Sequence, residues 1–348
     1  MKRKYLHLIV VLLIGLASCE TESTDLVGDE GAGVLPKPTA AFSYEVIDPK
    51  DPFTIKFNNT STNFVESCWA FDDDSTSADD SPVHTFLKTG SFDVKLITLN
   101  EEDFWAQREE TITISPSSLV QLQAASSGGV LEVSYETSME ISRSDWFVKQ
   151  SDGSFQRASQ EETLALNISA GQFAEAYVEL TTPKGSKTRL NMTLTDVGIV
   201  KDLTNFENTF TVSHDNSGGK EAGEGSLKLI DNNINTKFLI FNINLIGGPF
   251  HWQFEYVQPQ VINGYTMTSG NDAEGRDPLN WDLMGSDDGI TWTTVDSHDG
   301  EMWTGRRQTR TFTFENTTAY QYYRLQVRDV RSGTHFQMSE FRLLQLPR

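Results

Sequence analysis

The chain has 348 residues and a formal charge of −21, with 49 Asp and Glu against 28 Lys and Arg. That balance argues against a nucleic-acid or anionic-headgroup binder, since both would be repelled at ordinary salt, and leaves neutral ligands or cations as natural partners. Cys19 and Cys68 are the only cysteines, so no disulfide framework is available and stability must come from ordinary apolar cores.

At the start of the chain Lys2, Arg3 and Lys4 precede a short apolar run at residues 8–16, the pattern of a secretory signal ending near Ser18. The run is too short to span a bilayer. Leu16-Ala17-Ser18-Cys19 resembles a bacterial lipobox, which implies lipid attachment (diacylation, palmitate) at Cys19. Residues 19–37 are polar, with glycine and proline, and cannot bury enough apolar surface to fold alone, so they read as a flexible tether. Glu20, Glu22 and Asp25 resemble the export signals of Bacteroidetes surface lipoproteins, implying an outer-membrane, lipid-anchored, cell-surface location. A merely solvating charge run is the competing reading of these three residues.

Beyond residue 40 the apolar residues alternate with a period of two, as in Phe53-Ile55-Phe57 and Trp252-Phe254-Tyr256, and no sustained helical period occurs. This predicts an all-β chain of serial β-sandwiches. Its first module is expected at residues 38–115. There Trp69 and Phe71, then Pro82, His84 and Phe86, then Gly90, Phe92, Val94 and Leu96 resemble the core pattern of the polycystic-kidney-disease (PKD) domain, an immunoglobulin-like sandwich. Asp72 and Asp74 stand where that family has glycines. Asp72-Asp73-Asp74 is open to two readings, a turn or a hard-cation site, with the turn favoured. Residues 117–200 carry five strand-like runs between Gly-containing turns and read as an immunoglobulin-like spacer.

The last module is expected at residues 204–348, and its most informative stretch is residues 271–292, an aromatic strand pattern interrupted by Gly, Pro, Asp and Asn. With Leu229-Ile230-Asp231-Asn232, Ile262-Asn263-Gly264-Tyr265, Tyr322-Tyr323-Arg324-Leu325 and Gln337-Met338-Ser339-Glu340-Phe341, it resembles the discoidin, or coagulation factor 5/8 type C, domain and the family 32 carbohydrate-binding modules. The resemblance implies a jelly-roll β-sandwich that binds a glycan or glycoprotein. Position by position it also implies a structural Ca²⁺ held by Asp231, Asn233, Thr236 and Glu340.

Within the stretch itself, Trp281 and Leu283 alternate on one face, Asp288-Gly289 suits a tight hairpin, and Trp292 is expected to re-enter the core. Arg276 and Asp277 read either as an ion pair or as a pair in which Arg276 projects to a ligand. Candidate ligand loops are residues 213–219 with His214 and Asn216, residues 239–250 ending at Phe250, and residues 297–307 with His298, Trp303, Arg306 and Arg307; Asn271 and Arg276 are further candidates. Trp303 is expected to be an exposed aromatic platform, with Arg, Asn and His supplying donors. Residues 239–250 are unusually apolar for a loop and suggest either a contact with the middle module or an exposed apolar rim.

No H-E-x-x-H, nucleophile elbow, P-loop or histidine cluster occurs, so the reading is a non-catalytic glycan-binding lipoprotein that works beside partner surface enzymes or transporters. An adhesin or assembly protein that binds a protein partner is the alternative.

Overall fold

The computed structural model describes residues 36–348; the expected leader, the expected lipid attachment at Cys19 and nearly all of the expected tether lie outside the described residues. The described chain is all-β, as the alternation predicted, and its few helical segments are single turns.

In the first module strands Phe42–Val46, Thr54–Asn59 and Val83–Thr85 form one sheet. The facing sheet contains Thr76–Ser77, Glu66–Ala70, Gly90–Leu99 and Trp105–Ile114. Period-two alternation drives Ile55, Phe57, Trp69, Phe92, Val94 and Leu96 into the space between them. Asp72 and Asp74 adopt left-handed backbone, φ 59° and 66°, and so replace the family glycines. The Asp73 carboxylate accepts from the Ser75 hydroxyl and lies 2.8 Å from His84 Nε2, while the His84 ring stacks on Phe71 at 4.1 Å. Asp73 is therefore occupied with its own turn and His84, while the Asp72 carboxylate accepts Asp93 N–H at 3.2 Å. Burial pushes the Cys68 thiol up, away from the reactive thiolate.

The middle module pairs a sheet ordered Phe155–Ser159, Arg143–Lys149, Ala174–Thr181, Lys187–Leu194 with one ordered Leu164–Leu166, Val130–Thr137, Val120–Ser127. It is not a detached bead. One apolar cluster runs from Phe42 in the first module to Leu194 here. Polar contacts cross the seam as well: the Ser186 hydroxyl donates to the Phe86 carbonyl at 2.8 Å and Lys184 pairs with Asp51 at 2.7 Å.

Strand Ile199–Asp202 then bridges to the C-terminal module, pairing Leu194 with Ile199 on one side and Asp202 with Leu344 on the other. The terminal module packs the sheet Asn208–Val212, Phe250–Gln260, Tyr320–Val330, Pro278–Ser286, Thr293–His298 over Glu340–Gln345, Gly264–Thr268 and Thr309–Thr313. A short ladder of Phe238–Ile240 with Phe336–Met338 closes one end. Trp281 and Leu283 are fully buried in this core. Trp292, expected in the core, is only half-buried and lies under the Arg324 guanidinium at 3.9 Å, because its position just past the hairpin keeps it at the sheet surface.

Candidate functional site

The loops at the closed end of the terminal sandwich are sewn together through one segment, residues 331–335. Ile243 N–H donates to the Thr334 carbonyl at 2.8 Å and Asn242 N–H to His335 Nδ1 at 3.1 Å, which fixes the apolar loop that follows Phe238–Ile240. On the other side Ser332 N–H donates to the Gly275 carbonyl at 2.7 Å and Arg331 N–H to the Asp277 carbonyl at 2.8 Å. The approach is close enough that a Cβ on Gly275 would meet the Ser332 hydroxyl at 2.4 Å, so a larger residue here would have to turn that hydroxyl aside.

Around this seam the exposed groups have mixed character. Phe241 keeps 53% of its surface in water and meets the His335 ring edge-on, centroids 4.9 Å apart. Leu245 is 74% exposed beside it. Asn271, Asp272 and Glu274 are exposed and Arg276 is partly so. Beneath them Lys237 donates to Asp272 at 2.9 Å, and the Gln337 amide donates to the Asp272 and Ala273 carbonyls. The hydrogen bond and charge of Lys237 hold the Asp272 carboxyl below its ordinary range.

Several ligand candidates prove to be scaffold. Trp303 is 1% exposed: its indole fills the sandwich beside Trp281, centroids 5.8 Å apart, under Arg310 at 5.3 Å. A residue outside any strand can still plug the end of a sandwich, and the gain from burying an indole outweighs leaving it as a platform. Phe250 is 2% exposed and lies 4.9 Å from Phe336, because it opens a central strand rather than ending a loop.

Arg306 is spent on the buried Asp277 carboxylate through both guanidinium nitrogens, which displaces the expected Arg276–Asp277 pair and leaves Arg276 without a carboxylate partner among the described residues. Burial pushes the Asp277 carboxyl up while the Arg306 guanidinium opposes that rise. Asn216 ties its loop to the Phe238–Ile240 strand, donating to the Leu239 carbonyl at 2.9 Å and accepting from Gly218 N–H at 3.0 Å. His214 is exposed, whereas Trp303 is buried and Arg306 is paired, so the three do not present one ligand-binding surface. His298 is held between Asp296 and Glu301, 3.0 Å from each. Arg307 is exposed, in left-handed backbone at φ 52°.

Of the predicted ligand residues, Asn271 stays exposed and Arg276 partly so. The sequence reading did not single out His335. Phe241 sat inside the apolar run at residues 239–250, and that run was the signal available for it. In three dimensions it divides into a buried strand and an exposed tip.

The four metal candidates do come together. Glu340, 4% exposed, accepts Asn232 N–H at 3.2 Å and Asn233 N–H at 3.0 Å. The Thr236 hydroxyl lies 2.9 and 2.8 Å from the two Asp231 oxygens and 2.8 Å from the Asn233 carbonyl. One hydroxyl proton cannot satisfy three acceptors, so lone pairs are left in surplus. The donors are all oxygen, only two of them carboxylates; among the described residues no group of three or more His, Cys, Asp or Glu is gathered. Oxygen donors are what a hard cation takes, but both carboxylates already have cationic neighbours here, Arg342 at 3.0 Å from Glu340 and Lys228 at 3.6 Å from Asp231.

Comparison with known families assigns residues 209–341 to the F5/8 type C domain and residues 34–115 to the PKD domain. Comparison with curated proteins gives no match. Among solved structures, CpGH89CBM32-5 from Clostridium perfringens, in complex with GalNAc-beta-1,3-galactose, is similar at 17% identity over 41% of this chain and 99% of its own, with a TM-score of 0.35. The F5/8 type C domain of a Bacteroides fragilis protein is similar at 15% identity over 43% and 97%, TM-score 0.36. The family 32 module of C. perfringens NanJ in complex with galactose is similar at 14% identity over 42% and 100%, TM-score 0.35.

Proposed function

We propose that the terminal F5/8 type C domain binds a neutral glycan at the Phe241–His335 corner, without turnover, on a chain anchored by lipid at Cys19 in the outer membrane and facing the cell exterior. The observation that carries the reading is the exposed Phe241 ring beside His335, on a 331–335 loop that also bonds to the Gly275 and Asp277 backbone on either side of Arg276. An apolar ring against the flat face of a pyranose, with amide, imidazole and guanidinium donors at its edge, is what sugar recognition requires. Asp272 and Glu274 on the same rim disfavour an anionic sugar there. Each site is weak, and many copies on one surface supply avidity for partner enzymes or transporters.

Asp231, Asn233, Thr236 and Glu340 would hold a calcium ion that rigidifies the loop preceding Phe238–Ile240, a structural role only. The PKD and middle modules would raise the domain above the membrane.

The test is a panel of neutral glycans read by affinity electrophoresis and calorimetry. Phe241→Ala is expected to weaken binding about tenfold, the equivalent of about 1.4 kcal/mol of ring stacking, with an unchanged melting temperature because the ring is exposed. If no glycan binds and a protein partner is retained through Phe241 and Leu245, the adhesin reading replaces this one; the strong exposure of Leu245 is the observation that favours it.

A further inference from the structure

The outer face of the middle module's four-stranded sheet concentrates cations and aromatic rings in an otherwise acidic chain. Register aligns Arg157, Phe147, Tyr177 and Asn191 in a row across four strands. Phe147 stacks on Tyr177 with centroids 4.6 Å apart, and Phe155 adjoins Tyr177 at 5.1 Å. The Arg189 guanidinium lies over the Tyr177 ring at 3.5 Å, and Arg157 lies near Phe147 at 5.9 Å.

The charges on this face do not cancel. Arg143, Lys149, Arg157, Lys187 and Arg189 meet Asp145, Glu175 and Glu179: Asp145 takes both Arg143 and Arg157, Glu175 takes Lys149, and Glu179 takes Lys187. Arg189 has no carboxylate partner among the described residues; its Nε donates to the Asn191 side chain at 3.0 Å. Stacking orients its planar fork, and the remaining N–H groups are free to bind an anion.

We propose that this face is a second binding site, separate from the terminal domain, for an anionic polysaccharide that lies across the Arg157–Phe147–Tyr177–Arg189 stack and whose carboxylate or sulfate groups meet Arg189 and Arg157. Complementarity of charge selects this occupant. The surplus on the face is positive while the whole chain is at −21. A polymer with about one charge per sugar gains locally without large global repulsion. Duplex nucleic acid, with a charge every ~1.7 Å of axis, is repelled more strongly by the same chain. The row spans three strand spacings of about 4.8 Å, or ~14 Å, room for a short run of rings. Phe147 and Arg189 cover the Tyr177 ring between them, so the stack holds the guanidinium in place for an acid group and offers the polymer only its partly exposed ring edges.

Affinity electrophoresis of the full chain in gels containing polygalacturonate, dextran sulfate or neutral dextran tests the proposal, with single-stranded DNA as competitor. Retardation is expected in one or both anionic gels, weakening as salt rises, and absent in neutral dextran. Arg189→Gln is expected to weaken binding about tenfold, and Arg189→Lys to lose less, since it keeps the charge but not the planar stack. Phe241→Ala should leave this binding unchanged, which separates failure here from failure of the terminal site. Melting curves check folding, and Arg157→Gln provides a second reading if Arg189→Gln does not fold. Polygalacturonate against dextran sulfate distinguishes uronate from sulfate ligands. The proposal is overturned if neither anionic gel retards the wild type, if both Arg variants bind as wild type does, or if DNA competes at concentrations equal to those of the polysaccharide.

Discussion

At the residue scale, what a side chain does here follows from what it can satisfy. Trp303 and Arg306 were attractive as ligand groups because tryptophan and arginine are scarce and informative, yet one fills apolar space and the other neutralises a buried carboxylate. Nothing in a one-dimensional pattern distinguishes a loop tryptophan that points inward from one that points outward. Asp288 illustrates a residue whose role was half legible. The strands stop at Ser286 and resume at Thr293, so the link is wider than the tight hairpin expected. The Asp288 carboxylate closes it by accepting Thr291 N–H at 2.7 Å and Ile290 N–H at 2.8 Å, bonds that depress its pKa to about 2. A depressed acid stabilises the fold above its unfolded pKa, near 3.8, and that contribution is lost as pH falls through about 2. The melting temperature of Asp288→Ala should therefore lie below that of wild type at pH 5 to 7, with the gap narrowing between about pH 4 and pH 2. A gap independent of pH would show that the carboxylate charge plays no part.

At the scale of elements, residues 231–240 show how a loop can be half legible. The spacing of Asp231, Asn233 and Thr236 marked an oxygen-rich turn, and Asn232 takes the left-handed backbone, φ 59°, that the family glycine would take. Glu340 joins them from a strand more than a hundred residues away, a meeting that resemblance suggested and composition alone did not. If the turn holds calcium as proposed, the ion at a hundred times its Kd adds about 2.7 kcal/mol to the terminal domain, and a chelator should remove that increment. Differential scanning calorimetry with calcium and with chelator checks this. Asp231→Asn should abolish the difference, and an unaltered transition with chelator would sink the calcium assignment. The next segment, residues 239–250, was ambiguous because an apolar run has no direction: pairing with Phe336–Met338 buries Leu239 and Ile240 and leaves Phe241 and Leu245 at the tip.

At the scale of the whole molecule, the modules are coupled unequally. The first two share one apolar core and several seam contacts, including the Ser186 bond to Phe86. The middle and terminal modules are joined by the Ile199–Asp202 strand, beside a cavity of 390 Å³ lined in part by Phe173, Val197, Phe314 and Leu346. Phe86→Ala, which removes a fully buried ring at the first seam, is expected to cost about 3–5 kcal/mol and to lower a single transition common to the first two modules. Calorimetry that resolved two transitions in this region, only one of them shifted, would count against a shared core. The stiffness such a core provides would let these modules hold the terminal loops at a distance.

The sequence by itself determined the all-β class, because period-two alternation admits no other way to bury one face of each segment. It also marked the oxygen-rich turn and the turn chemistry of Asp72, Asp74 and Asp288, since these depend on neighbours along the chain. Only the tertiary structure decided which aromatic and cationic side chains meet solvent. That choice depends on partners brought from distant strands: Asp277 for Arg306, Trp281 for Trp303, His335 for Phe241 and Tyr177 for Arg189.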